Sequence, residues 1–331
     1  MPEKTLQGVI LDARRKENKT VYPFHEATDK LFPLEEDVDL LFQMPAEKLR
    51  SYKAFVLRCG DGRTQFVFNR VLKVNKEEKS LLPFFILEAG GTANTLIKGL
   101  KLGQAAVFPE EFVGLLSPEQ YIVRSYRAPE LTTEEISSYL AYLCAPDHLS
   151  TFSQNWFNEH RVFGRTHGTY IKAAINSLLT FANPNYVPVM PERIIYRRKS
   201  KEEEEIEIAE KCVSACWVLG VPAFATFKLK EPISQDKLRL ILIAGKSKAE
   251  TFTRTALTLV LGSLFEYGAD LAIKAGLVRS EDVDKVTIYP DKTHSPNCVI
   301  DGELVEFDKK LTLERGEQKA TILIPKELYG L

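Results

Sequence analysis

A chain of 331 residues, 44% apolar and 27% charged, has the composition of a globular protein with a sizeable core, which excludes a disordered or fibrous chain. Its 44 basic and 45 acidic residues leave a formal net charge of -1, so a polyanion would have to be held by a local basic patch and not by the field of the whole molecule. Five irregularly spaced cysteines fit free thiols in a reducing cytosol, the first residues carry no apolar signal stretch, and no apolar run approaches the roughly 20 residues that span a bilayer, so a cytoplasmic protein without a membrane partner is expected.

Taken in chain order, residues 53–59 and 64–74 are β-prone runs around Gly60-Asp61-Gly62 and read as a hairpin. Residues 81–87 read as a buried strand that leads through Gly90-Gly91-Thr92 into a helix ending near Leu102. Thr132 with Glu135 has the form of a capping box and predicts a helix to Leu143, stopped by Pro146. Residues 169–181 place Ile171, Ala174, Ile175, Leu178 and Leu179 at helix spacing. Pro184, Pro188 and Pro191 then mark a linker. Composition thus divides the chain into a strand-rich region 1–130, a helical region 131–190 and an α+β region 191–331.

The last region reads as a strand at 193–197, a helix at 202–219 with an acidic first turn, and strands at 222–229 and 238–244. A long helix follows at 248–275, broken at Gly262 or Gly268, then a strand at 286–289. This β-α-β-β-α-β order is that of the split-βαβ, ferredoxin-like unit, and in element order alone it resembles RNA-recognition modules. Two hairpins follow, turning at Asp301-Gly302 and around Arg315-Gly316. The expected class is α+β: a C-terminal ferredoxin-like unit with added hairpins, a strand-rich N-terminal part and a helical middle.

On such a frame exposed aromatics stack bases and cations hold phosphates, which draws attention to Arg193, Tyr196, Arg197, Arg198 and Lys199 on the first strand. The third strand, 238–244, carries no aromatic. Arg161, Arg165 and His167, with Trp156, Phe157 and Phe163 nearby, form a second basic and aromatic segment. Arg161 and His167 also have the loose spacing of HEPN-type ribonucleases, in which the histidine acts as acid or base on a ribose hydroxyl, although Gly164 and Gly168 interrupt the helix such a pair needs.

Lys246 and Lys248 stand at a strand–glycine–helix junction, 245–248, and a similar junction covers 90–94; helix starts of this kind offer backbone N–H groups to anions. The Gly-Lys-Ser triplet at 245–247 is not a phosphate-cradling loop, because Leu240 stands where the leading glycine is needed. Cys144, His148, His160 and His167 lack zinc-module spacing, and Cys212 and Cys216 read as core residues; neither a metal nor a cofactor is expected.

The leading functional expectation is a nucleic-acid-binding protein, for RNA or single strands, within a ribonucleoprotein assembly. The alternative is an enzyme acting on a phosphorylated small molecule or on RNA, with phosphate held at the glycine-rich helix starts and Arg161 and His167 as catalytic candidates. A third reading is a ligand-free scaffold. Catalysis itself stays open at this level.

Overall fold

The computed structural model describes residues 7–12, 23–32, 35–37, 41, 43–78, 82–88, 95–133, 137–140, 143–159, 167–183, 185, 191–199, 203–208, 212–224, 227–290 and 297–330. It is a mixed α/β protein in two compact units, 1–128 with 316–331, and 129–315. Composition suggests three regions instead, with boundaries at 130 and 190.

The first unit is built on a six-stranded sheet. Its strands are β1 (Gly8–Asp12), β2 (Glu35–Asp37), β3 (Ala54–Arg58), β4 (Phe84–Leu87), β5 (Tyr121–Tyr126) and β20 (Ala320–Pro325), in the order β2-β1-β3-β4-β20-β5. All neighbours pair in parallel except β20 with β5. Helices α1 (Pro23–Leu31), α2 (Ala46–Ser51), α3 (Asp61–Glu78) and α4 (Thr95–Leu100) intervene. Parallel strands covered on both faces carry continuous apolar runs, and all five residues of β3 are buried. Ala54 and Val56 join one core with Ile10, Ile86 and Phe112. On the other face Phe55 stacks on Phe85, and Phe68 of α3 packs on Phe85 at 4.6 Å.

The second unit is a sandwich of two sheets with helices on one outer face. One sheet has the order β10-β9-β16-β19-β6-β7, from β6 (Pro129–Thr132), β7 (Ser137–Tyr139), β9 (Arg193–Lys199), β10 (Glu203–Glu207), β16 (Lys285–Tyr289) and β19 (Leu311–Arg315). The other has the order β15-β14-β11-β8-β17-β18, from β8 (Leu143–Ala145), β11 (Cys212–Leu219), β14 (Leu238–Gly245), β15 (Arg279–Val283), β17 (Asn297–Ile300) and β18 (Glu303–Glu306). Ile194, Tyr196, Val286 and Leu313 of the first sheet pack against Val213, Cys216, Leu240 and Leu242 of the second. Two short strands, β12 (Ala223–Phe224) and β13 (Phe227–Lys228), form a hairpin of their own. Helices α5 (His148–Glu159), α6 (His167–Ala182), α7 (Lys248–Leu264) and α8 (Gly268–Lys274) complete the unit, α5 and α7 lying on β11.

The ferredoxin-like expectation is corrected here. Residues 203–207 and 212–219 are strands, so among the described residues no helix separates β9 from β14. Glu205, Ile206, Glu207 and Ile208 alternate polar and apolar, a strand period that the acidic run disguises as a helix first turn. The proposed hairpin across 60–62 is a strand-to-helix junction: Val67, Phe68, Val71, Leu72 and Asn75 are buried at helix spacing, while Phe66 just before them is 41% exposed. The capping-box helix from 132 is absent among the described residues, where β6 and β7 pair instead. The turn at Asp301-Gly302 is a hairpin, with φ of 50° and 90° at the two residues. That at Arg315-Gly316 is not, because β19 and β20 belong to different sheets. Among the described residues no helix is long and apolar enough to cross a membrane.

The expected helix from 248 breaks at Gly268, where α8 begins; a Cβ there would collide with the Leu261 carbonyl at the end of α7. Gly268→Ala should therefore lower stability by about 1–3 kcal/mol, as overpacked sites do, measured by urea unfolding; Gly262→Ala should cost less.

Candidate functional site

Strands β1, β3 and β4 run the same way and end at one edge of the sheet, at Asp12, Arg58 and Leu87. From β1 the chain moves to β2 on one side, whereas β3 lies on the other side and leads outward to β4. β1 and β3 are therefore the point where strand order reverses. In open parallel sheets the connections diverge at that point and leave a crevice beyond the carboxyl ends of the strands, where ligands bind.

A buried charged network stands at this edge. Arg58, 2% exposed, donates from Nε to Glu88 Oε2 at 2.7 Å and from Nη2 to Thr28 Oγ1 at 2.9 Å. Its Nη2 also meets Asp29 Oδ1 at 2.7 Å, and Thr28 Oγ1 donates to Glu88 Oε1 at 2.8 Å. The network ties α1, β3 and the residue after β4 together. Burial pushes the Glu88 carboxyl above its ordinary range, against the pull of the Arg58 charge. Burial alone would depress Arg58, but the charge of Glu88 and hydrogen bonds to Glu88 and Asp29 hold it protonated above its ordinary value. The Tyr121 hydroxyl on β5 is also buried, and desolvation followed by the Glu88 charge raises its pKa.

Immediately after Arg58 come Cys59 and Gly60, and α3 opens at Asp61. The first intrahelical bond runs from Thr64 N to Gly60 O at 3.0 Å, backed by Thr64 Oγ1 at 3.1 Å. The N–H groups of Asp61, Gly62 and Arg63 precede that bond, in the first turn of the helix. The Gly90–Asn94 junction after β4 lies outside the described residues.

The described residues among those singled out from sequence lie elsewhere. Tyr196 is 2% exposed inside the sandwich and cannot stack on a base. The basic strand β9 pairs with the acidic strand β10: Lys199 opposite Glu203, Arg198 opposite Glu204 and Arg197 opposite Glu205. Arg193 binds Glu207 at 2.8 Å, and Arg198 pairs with Glu281 while covering the Tyr196 ring. Lys246 and Lys248 flank a closed helix start: Ser247 Oγ accepts from Glu250 N at 3.2 Å, and Glu250 Oε2 accepts from Lys246 N at 2.9 Å. That last bond, with Arg254 beside it, keeps Glu250 below the usual carboxylate range, so an anion there would meet a negative charge. Arg161 and Arg165 lie outside the described residues, and His167 opens α6.

Of the metal-type constellation, Cys144 lies 3.2 Å from the Cys298 sulphur, and the His148 ring meets Ser177 O at 3.2 Å. Beside them the Asp147 carboxyl is pushed up to about 7 by burial, although it accepts from Ser150 N at 2.8 Å. Among the described residues no three His, Cys, Asp or Glu side chains form a metal cluster. A cavity of about 310 Å³ in the second unit has Arg254 and Arg279 in its lining, engaged by Glu250 at 2.9 Å and Glu281 at 3.4 Å.

No protein-family model matches the chain, and no curated protein matches it in sequence. Solved structures do match in three dimensions. Two, of Bacillus anthracis str. Sterne proteins provisionally named diacylglycerol kinases, superpose with TM-scores of 0.55 and 0.56. The first covers 96% of this chain and 95% of its own at 12% identity; the second covers 98% of each at 14%. A third, a diacylglycerol kinase from the same organism, gives 0.51 at 11% identity over 96% of each chain. The fold is theirs. With Arg193 held by Glu207, Arg198 by Glu281, Tyr196 in the core and a fold shared with structures named diacylglycerol kinases, the reading of the chain as a binder of RNA or single strands is overturned. The residue missed from sequence is Arg58, whose signal was a charge ending an apolar strand just before Gly60.

Arg58→Met should cost about 3–5 kcal/mol, because it leaves the Glu88 carboxylate buried without its cation. A raised folded pKa gives a carboxylate stability that is present below its unfolded value and lost as pH rises through the folded value. Losing Arg58 raises that folded value further, so the deficit in urea unfolding should be larger at pH 8 than at pH 5. Equal deficits at both pH values would contradict this account of Glu88.

Proposed function

We propose that the chain is a kinase that moves the terminal phosphoryl group of a nucleoside triphosphate onto a hydroxyl of a small molecule. The observation that carries this reading is the reversal of strand order between β1 and β3, with α3 starting beside it at Gly60-Asp61-Gly62. The likeness in fold to structures named diacylglycerol kinases supports it.

Phosphoryl transfer asks little covalent chemistry of a protein; positioning and neutralisation of charge on the phosphates carry most of the catalysis. The start of α3 suits both: the helix dipole puts its positive end at this edge, and Gly60 and Gly62 have no side chain to keep a phosphate away. The substrate is the magnesium complex of the nucleotide. Magnesium takes one or two carboxylates together with phosphate oxygens, and Asp12, which ends β1, is an acidic residue of this edge. The Arg58–Glu88 network holds the frame: it fixes β3 against α1 and against Glu88 after β4, so this edge keeps its geometry when charge enters it.

Millimolar Mg-ATP should raise the melting temperature by about 3 °C or more if the nucleotide binds well above its Kd. Transfer of labelled phosphate should be sought with hydroxylic acceptors, beginning with diacylglycerol, the substrate in the names of the structural relatives. Asp12→Asn should reduce transfer by about 100-fold or more. Absence of both nucleotide stabilisation and transfer would overturn the proposal.

A further inference from the structure

Cys144, Cys216 and Cys298 are fully buried free thiols that share the core of the second unit with Leu240 and Leu242. Two of them are in direct contact: the sulphurs of Cys144 and Cys298 lie 3.2 Å apart. The sheet explains the approach. β8 and β17 are antiparallel neighbours, with Val299 opposite Ala145 and Ile300 opposite Cys144. Cys298 stands two residues before Ile300, so it shares the face of the sheet that carries Cys144, diagonally across the gap between the strands. A disulfide holds its sulphurs at about 2.05 Å, and the remaining approach of about 1.2 Å is within the reach of rotation about χ1 of the two side chains.

The place of the pair gives such a bond a consequence. β17 and β18 form a hairpin at the margin of their sheet, and among the described residues the ladder ties it to β8 through Val299 and Ile300. β8 is tied to β11 through Leu143 and Cys144, whereas β11 and β14 pair all the way from Cys212 to Leu219. A covalent link between residues 144 and 298 would therefore cross the sheet where its described backbone pairing is thinnest.

We propose that Cys144 and Cys298 are a redox pair, thiols under reducing conditions, which a hydroperoxide closes into a disulfide that staples the β17–β18 hairpin to β8. The chemistry balances in two steps. Hydrogen peroxide oxidises one thiol to a sulfenic acid and leaves as water; the neighbouring thiol then attacks that sulphur, the S–S bond forms and a second water departs. Two thiols and one peroxide thus give one disulfide and two waters. Contact with Cys298 and then burial hold the Cys144 thiol protonated above its ordinary value, so thiolate is scarce and the first step is slow. The second step is fast, because the partner is already in place, and it ends the sequence before sulfinic acid forms. The pair therefore answers sustained oxidation. It does not depend on the kinase reading.

The test treats the full native chain with millimolar hydrogen peroxide, blocks the remaining thiols, digests without reduction and maps linked peptides by mass spectrometry. The expected product joins residues 144 and 298, is two hydrogens lighter than the separate peptides and is reopened by dithiothreitol, while Cys216, equally buried, keeps its thiol. Amide exchange at residues 297–306 should slow by about tenfold or more in the oxidised chain and stay unchanged at 8–12 in the other unit. Cys144→Ser and Cys298→Ser should each abolish the link and the slowing. The wild-type readings stand even if a serine variant fails to fold. A native wild-type chain that keeps both thiols, carries sulfinic acid at either, or links either to Cys216 or to a second chain overturns the proposal. So does a link that forms only in urea, or one that leaves exchange at 297–306 unchanged.

Discussion

Parallel strands that share a direction deliver their last residues, and every helix that follows them, to one edge of the sheet. In the first unit that edge is where β1, β3 and β4 stop, and the interaction that holds it is the buried ion pair between Arg58 and Glu88. A guanidinium and a carboxylate taken out of water must be paired and fully hydrogen-bonded. Here Thr28 and Asp29 of α1 complete the shell of Arg58. The pair is costly as a source of stability, but it specifies which ends meet. With α1, β3 and Glu88 fixed together, α3 begins at Asp61, directly after the end of β3.

The same electrostatics, on the surface, removes the function that the basic strand suggested. β9 and β10 form an antiparallel pair whose register sets each of three cations opposite a glutamate. Cross-strand pairs of opposite charge stabilise a sheet modestly and cancel its field. What looks in one dimension like a basic patch followed by an acidic block is in three dimensions a neutral ribbon. The closed cap of α7, with Glu250 on the Lys246 N–H, follows the same logic.

How much of this was legible in the sequence depended on whether periodicity survived burial. β3, β4, β14 and β16 were readable because short apolar runs between breakers have few alternatives. The helix at α6 was readable from its spacing, and the break before α8 from Gly268. α3 was misread because Phe66, Val67 and Phe68 together satisfy a β-propensity reading; only the burial of Val67 with Phe68, and then of Val71 with Leu72, distinguishes the helix. β11 was misread for the opposite reason. It is covered by the facing sheet on one side and by α5 and α7 on the other, so it shows no alternation. The reversal of strand order itself was invisible, since strand order and direction are long-range facts: β20 pairs with β4 across more than two hundred residues. A glycine-bearing junction in the sequence says that an anion could be held; only the sheet says which junction opens at a reversal of strand order.

Amide hydrogen exchange with and without Mg-ATP tests the central claim most directly. The account predicts slowed exchange at residues 59–66, where β3 hands over to α3, and unchanged exchange at 193–199 and 246–252. Unchanged exchange at 59–66 under saturating nucleotide, or protection confined to the basic strand or to the start of α7, would contradict it.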